Sequence, residues 1–189
     1  FARAALVTDV ELFDDYPASY LSHARRKHRW IRGDWQLLPW LRSRVRGARG
    51  LESNPLSTIS RWKILDNLRR SLVEPSLLAL LLIGWLLLPG SALVWSGLVL
   101  GVLAWPWLVS FCLAALRPPS DKSWRGYYAA VIRDALASTQ QFVLAAVFLP
   151  HQAALSVDAI VRSVYRLGIS RRNLLEWQSA SQVERKASV

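Results

Sequence analysis

The 189-residue chain contains no methionine and a single cysteine, Cys112. One thiol cannot close an internal disulfide, and Cys112 sits in an apolar run without neighbouring metal ligands, so packing is its expected role. Acidic residues are scarce, with 13 Asp and Glu against 24 Lys and Arg, a formal net charge of +11. Charge is also missing by region. From Pro75 to Leu116, 42 consecutive residues carry no charged side chain. With 52% apolar residues, the chain is neither disordered nor an ordinary soluble basic domain. Its basic residues flank uncharged runs instead of covering a soluble fold. That placement argues against nucleic acid and favours anionic lipid or a diphosphate. No signal peptide is visible, and with methionine absent the chain is expected to be an internal piece of a longer protein, where none would be expected.

The uncharged run is long enough for two membrane helices, because a helix rises about 1.5 Å per residue and needs about 20 residues to cross the hydrocarbon core. Pro89-Gly90-Ser91 supplies a turn near its middle, so Leu72–Leu88 and Ala92–Leu116 are predicted to form a transmembrane helical hairpin over residues 72–116. Trp85 and Trp95 would lie in the far headgroup layer, and Trp105-Pro106-Trp107 would mark a kink. Between His23 and Arg49 there are nine Arg or Lys and one acid, Asp34. Arg117, Lys122 and Arg125 follow the hairpin, so the positive-inside rule places both its ends in the cytoplasm.

Before the hairpin, residues 54–71 read as an amphipathic interfacial helix. Ser57 is the expected cap, Trp62 and the leucines dip inward, and Arg61, Lys63, Arg69 and Arg70 face headgroups. After it, residues 117–168 read as a second membrane or re-entrant region. Ala135–Val157 is uncharged but interrupted by Gln140, Gln141 and His151, which suit inter-helix hydrogen bonds or a polar channel. Arg133 and Asp134 belong at an interface or inside a protein-lined groove. Pro150 is expected to separate a further amphipathic helix ending near Gly168, giving either a second hairpin or a re-entrant pair, with an even number of crossings overall. Residues 169–189 read as a cytoplasmic connector.

The segment Arg25-Arg26-Lys27-His28-Arg29-Trp30-Ile31-Arg32-Gly33-Asp34-Trp35-Gln36 combines arginine forks, which bind phosphate oxygens in pairs, with tryptophan faces that cover a sugar ring. Its spacing suggests a phosphate-handling, sugar-stacking loop beside a membrane. Headgroup anchoring is the alternative reading of the same residues.

Arg26-Lys27-His28-Arg29-Trp30, with Gly33 and Gln36, resembles the Q-x-x-R-W element of processive, membrane-embedded family-2-type glycosyltransferases; Arg26 stands at the glutamine position. Four blocks together resemble the cyclic β-1,2-glucan synthases: Thr8 to Pro17, His28 to Gln36, Ser60 to Leu72, and Leu174 to Gln178. The resemblance covers essentially the whole chain. It implies a mainly α fold in which residues 1–53 form the C-terminal edge of a Rossmann-like glycosyltransferase domain, followed by the interfacial and transmembrane helices.

By the same resemblance the parent is a bacterial inner-membrane, multi-pass enzyme that polymerises glucose from UDP-glucose into β-1,2-glucan, with its basic loops cytoplasmic. Trp30 is then the acceptor-binding residue, Arg26 and Arg29 lie on the donor diphosphate side, and His28, Gly33, Asp34 and Gln36 support the loop. A divalent Mg²⁺ or Mn²⁺ is implied in the parent but not on this chain, which shows neither a D-x-D motif nor a base. Asp9, Glu11, Asp14 and Asp15 read as a solvated loop. The chain alone is therefore expected to be inactive. A related processive β-glycan synthase, or a membrane transporter or scaffold segment, is the alternative.

Overall fold

A computed structural model describes residues 19–47, 50–116 and 123–172. Asp9, Glu11, Asp14 and Asp15, the Thr8–Pro17 and Leu174–Gln178 blocks, Arg49, Arg117 and Lys122 lie outside them.

The basic segment is a helix, not the expected loop. Helix α1 (Tyr20–Gln36) begins where the Ser19 side chain accepts from the Ser22 amide and ends where Leu37 donates back to Asp34 and Trp35 carbonyls. Its helical character follows from spacing: Tyr20, Ala24, His28, Ile31 and Trp35 recur every three or four residues and form one face. Ala24 and Ile31 on that face are buried. Pro39 sits in a 3-10 turn (Leu38–Leu41) that stops further α-helix.

Strands β1 (Arg44–Gly47) and β2 (Gly50–Ser53) then form an antiparallel hairpin, with Arg44 opposite Ser53 and Gly47 opposite Gly50. Gly50 has φ 113°, a conformation that disfavours any residue with a Cβ. Asn54 closes this unit, its side-chain amide donating to the carbonyls of Trp40 at 2.6 Å and Arg42 at 2.8 Å. The described residues before Asn54 contain no parallel strand pair of the kind a Rossmann-like edge would provide.

Helix α2 (Thr58–Ser71) is capped by Ser57, which accepts from the Ser60 amide at 3.1 Å, as its position predicts. Helix α3 (Val73–Leu86) and helix α4 (Ala92–Leu116) follow, joined through Pro89-Gly90-Ser91. The hairpin is thus present, but its arms differ in length. At about 1.5 Å per residue α3 is about 21 Å long, short of a bilayer core of about 30 Å, whereas α4 reaches about 37 Å. Trp85 and Trp95 staple the turn: Trp85 Nε1 donates to Ser96 Oγ at 3.0 Å and Trp95 Nε1 to the Pro89 carbonyl at 3.2 Å. Pro106 lies inside α4, which continues through it.

Helix α5 (Trp124–Tyr165) is one continuous 42-residue helix and replaces both the expected second hairpin and the re-entrant pair. Pro150 forfeits one backbone hydrogen bond, yet packing bridges the defect. On one side of it Phe148 stacks on Tyr20, and on the other His151 Nδ1 meets the Tyr20 hydroxyl at 2.7 Å. Gln152 Nε2 donates to the same hydroxyl at 2.9 Å, so His151 and Gln152 serve helix packing. The helix ends in a π turn (Arg166–Ser170).

Helices α4 and α5 are long and apolar enough to cross a membrane. Most large apolar side chains of α4 are exposed, and Val99 is buried with Leu77 and Leu149 where α3, α4 and α5 meet. Further along, α1 runs beside α5 with the same polarity: Tyr20 meets His151, His28 meets Asp158, and Ser163 reaches the Arg32 carbonyl. Small buried residues of α5, Ala153, Ser156, Ala159 and Ser163, let the two backbones approach closely.

Candidate functional site

Helix α1 has two working faces. One packs on α5. The other, turned by about one residue position, carries His23, Lys27, Trp30 and Asp34 into a cleft of about 800 Å³, closed on its far side by Asn67, Arg70, Ser71 and Glu74. The cleft exists because α2 and the start of α3 return along α1. Trp35 Nε1 donates to Ser71 Oγ at 2.9 Å, Asn67 Nδ2 donates to Asp34 Oδ1 at 3.2 Å, and Lys27 Nζ meets Glu74 Oε1 at 2.5 Å.

Trp30 is the most exposed aromatic of the cleft, at 61% of its surface. Burying a tryptophan recovers its large apolar area, so an indole left open on a cleft is available to a ligand with a flat apolar face. One helical turn earlier, Arg26 places its guanidinium carbon 4.9 Å from the Trp30 ring centroid. This cation–π contact orients the ring and makes Arg26 a support for Trp30. Arg29 lines the cleft next to Trp30.

The remaining sequence-derived residues separate. Gly33 and Asp34 line the cleft. His28 does not, because its Nε2 is turned to Asp158 Oδ2 at 2.9 Å on α5. Asp158 also accepts from Arg162 at 2.8 Å, four residues later on α5. Gln36 is the last residue of α1 and lies outside the cleft lining.

Burial holds the Asp34 carboxyl above the usual carboxylate range, a shift partly offset by the Asn67 hydrogen bond and the positive charge of Arg70. Asn67 in turn accepts from Arg70. The cleft therefore joins an aromatic platform, arginines and hydrogen-bonding groups, which suits a sugar hydroxyl surface or a phosphate ester. Among the described residues no three His, Cys, Asp or Glu side chains gather as metal ligands.

Four cleft residues, Asn67, Arg70, Ser71 and Glu74, fall in a stretch read from sequence as an interfacial helix running into a span. A signal for them exists: their spacing of three, one and three marks a polar stripe on one helical face.

No protein-family model matches the chain. It is 40% identical over 185 residues to the cyclic beta-(1,2)-glucan synthase NdvB of Rhizobium meliloti (strain 1021), a match covering 97% of this chain. The chain spans only 6% of that relative's length. An identity this high, sustained from end to end with both the tryptophan-bearing helix and the apolar helices inside it, makes the chain a member of the cyclic β-(1,2)-glucan synthase family, as the counterpart of one short stretch of such a protein.

Proposed function

We propose that the chain is the acceptor-binding and membrane-anchoring portion of a bacterial inner-membrane glucosyltransferase that builds β-1,2-glucan from UDP-glucose. The observation that carries this reading is Trp30, exposed on a cleft and oriented by Arg26, within a segment 40% identical to a glucan synthase. The indole would stack on the terminal glucose of the growing chain and fix its approach to the donor. Arg29, beside it, would stabilise charge developing on the departing diphosphate. Arg26 then acts through Trp30.

Helices α4 and α5 would hold this cleft at the cytoplasmic face, with the basic residues of α1 kept in the cytoplasm by the positive-inside rule. A Rossmann-like transferase domain elsewhere in the parent would supply the donor pocket, the base and the Mg²⁺ or Mn²⁺ ligands. The chain alone would not turn over UDP-glucose.

The test is glucose incorporation from labelled UDP-glucose by membranes holding the full-length parent, with linkage analysis of the product. Trp30→Ala should lose transfer by at least about tenfold at equal membrane levels, the order of one aromatic stacking contact, while Trp30→Phe keeps part of it. Undiminished transfer by Trp30→Ala would instead support headgroup anchoring. A product with another linkage would point to a related β-glycan synthase.

A further inference from the structure

A second cleft, of about 710 Å³, lies where the β1–β2 hairpin meets the π turn that ends α5. Arg42, Arg44, Arg46 and Arg171 line it together with Trp40, and no acidic residue does. Among the described residues, none of these four guanidinium groups takes part in an ion pair. The hairpin's own acid, Glu52, is opposite Val45 in the register and is not among the residues that line the cleft.

The scaffold is braced in advance. Asn54 pins the carbonyls of Trp40 and Arg42, and the Asn54 amide donates to Ser43 at 2.9 Å. Arg171 takes a left-handed conformation, φ 51°, held by its amide donating to Arg166 at 2.8 Å. A bulky residue in that region carries strain of order 1 kcal/mol. Four like charges from two parts of the chain line one cleft, and a multiply charged anion entering it would be attracted by all of them.

The anion's source is argued from distance. Leu149 lies in the apolar cluster with Leu77 and Val99, and Arg166, the cap of α5, comes 17 residues later, about 25 Å along the axis. On the membrane reading proposed above, with that cluster taken as the middle of the bilayer, this exceeds about 15 Å of hydrocarbon plus a headgroup layer of roughly 5–7 Å and reaches water. We infer that the Arg42–Arg44–Arg46–Arg171 cleft binds a soluble, multiply charged phosphate compound at a site separate from the Trp30 cleft. Arginine forks grip its phosphate oxygens in pairs and Trp40 covers its apolar part.

Pyrophosphate is the probe, titrated calorimetrically into the full chain in neutral detergent at fixed ionic strength, with vesicles containing phosphatidylglycerol as a parallel arm. Saturable pyrophosphate binding is expected, weakened roughly tenfold by Arg44→Gln, the order of one charge-assisted hydrogen bond. Arg171→Gly should also weaken binding while holding or raising thermal stability, because glycine accepts the left-handed turn; this separates loss of the site from loss of fold. Trp30→Ala should leave binding unchanged, so the outcome is independent of the acceptor role. Absence of saturable binding, binding unaffected by both arginine variants, or binding to vesicles alone would each overturn the inference.

Discussion

The guanidinium of Arg26 lies over the indole of Trp30, 4.9 Å from the ring centroid and one helical turn before it. Two residues of the motif that the sequence offers as separate binding groups are, in three dimensions, in contact with each other. Exposed cation–π pairs contribute about 0.5–1 kcal/mol. Arg26→Gln in the parent should therefore lower glucan transfer only about two- to fivefold, far less than Trp30→Ala. Equal losses in the two variants, measured at matched membrane levels, would place Arg26 in direct contact with substrate.

Gly33 tests whether the cleft is used. A Cβ added there meets nothing within 4 Å, and glycine inside a helix costs about 0.5–1 kcal/mol relative to alanine. Gly33→Ala should raise the thermal midpoint of the chain in detergent. The same methyl enters the cleft beside Trp30, so transfer by the parent should fall severalfold. A stabilised variant with full activity would show that substrate does not approach this wall.

Asp34 should make stability depend on acid pH. Its folded-state pKa is raised by burial, so the folded chain holds the proton more tightly than the unfolded chain. The resulting stabilisation is complete below the usual value of 3.8 and is lost as pH rises through the folded value. At pH 7 the ionised carboxylate is a net cost. Asp34→Asn, which still accepts from Asn67, should melt higher than wild type at pH 7 and lose that advantage below pH 3.8. Thermal melts across this range measure it, and a lower midpoint at pH 7 would refute the assignment.

Gly84 should be the least replaceable residue of the apolar hairpin. A Cβ there would stand 2.5 Å from Trp95 Cγ, inside any real contact distance. Overpacking of this kind costs typically 1–3 kcal/mol. Gly84→Ala should lower the melting midpoint in detergent, and Gly84→Ala with Trp95→Leu should recover part of the loss. Failure of the double variant to recover would mean that the clash is not the cause.

Much of the architecture is written in local pattern. The charge-free stretch, the Pro89-Gly90-Ser91 turn and the Ser57 cap each act through neighbours within a few residues, and each appears where its chemistry requires. Pro150 misled for the same reason. Read locally it ends a helix, but Tyr20, 128 residues or more away, packs across it through Phe148 and His151. The family, too, was legible from four short blocks, since identity over 97% of the chain is a property of sequence.

The cleft was not legible in full. Trp30 and the arginines stood out by residue type, and Arg29, Gly33 and Asp34 took their roles from the family resemblance of their segment. That His28 turns away to Asp158, and that Asn67, Arg70 and Glu74 form the opposite wall, depends on how α2 and α5 dock on α1. By itself, then, the sequence determined the capped helix after Ser57, the two apolar helices around the Pro89-Gly90-Ser91 turn, and the family, because periodicity, capping and identity are carried by nearby residues. Only tertiary structure decided which of two faces of α1 becomes core and which becomes cleft, because burial and hydrogen bonding between residues 33 to 131 positions apart are set by packing and leave no local trace.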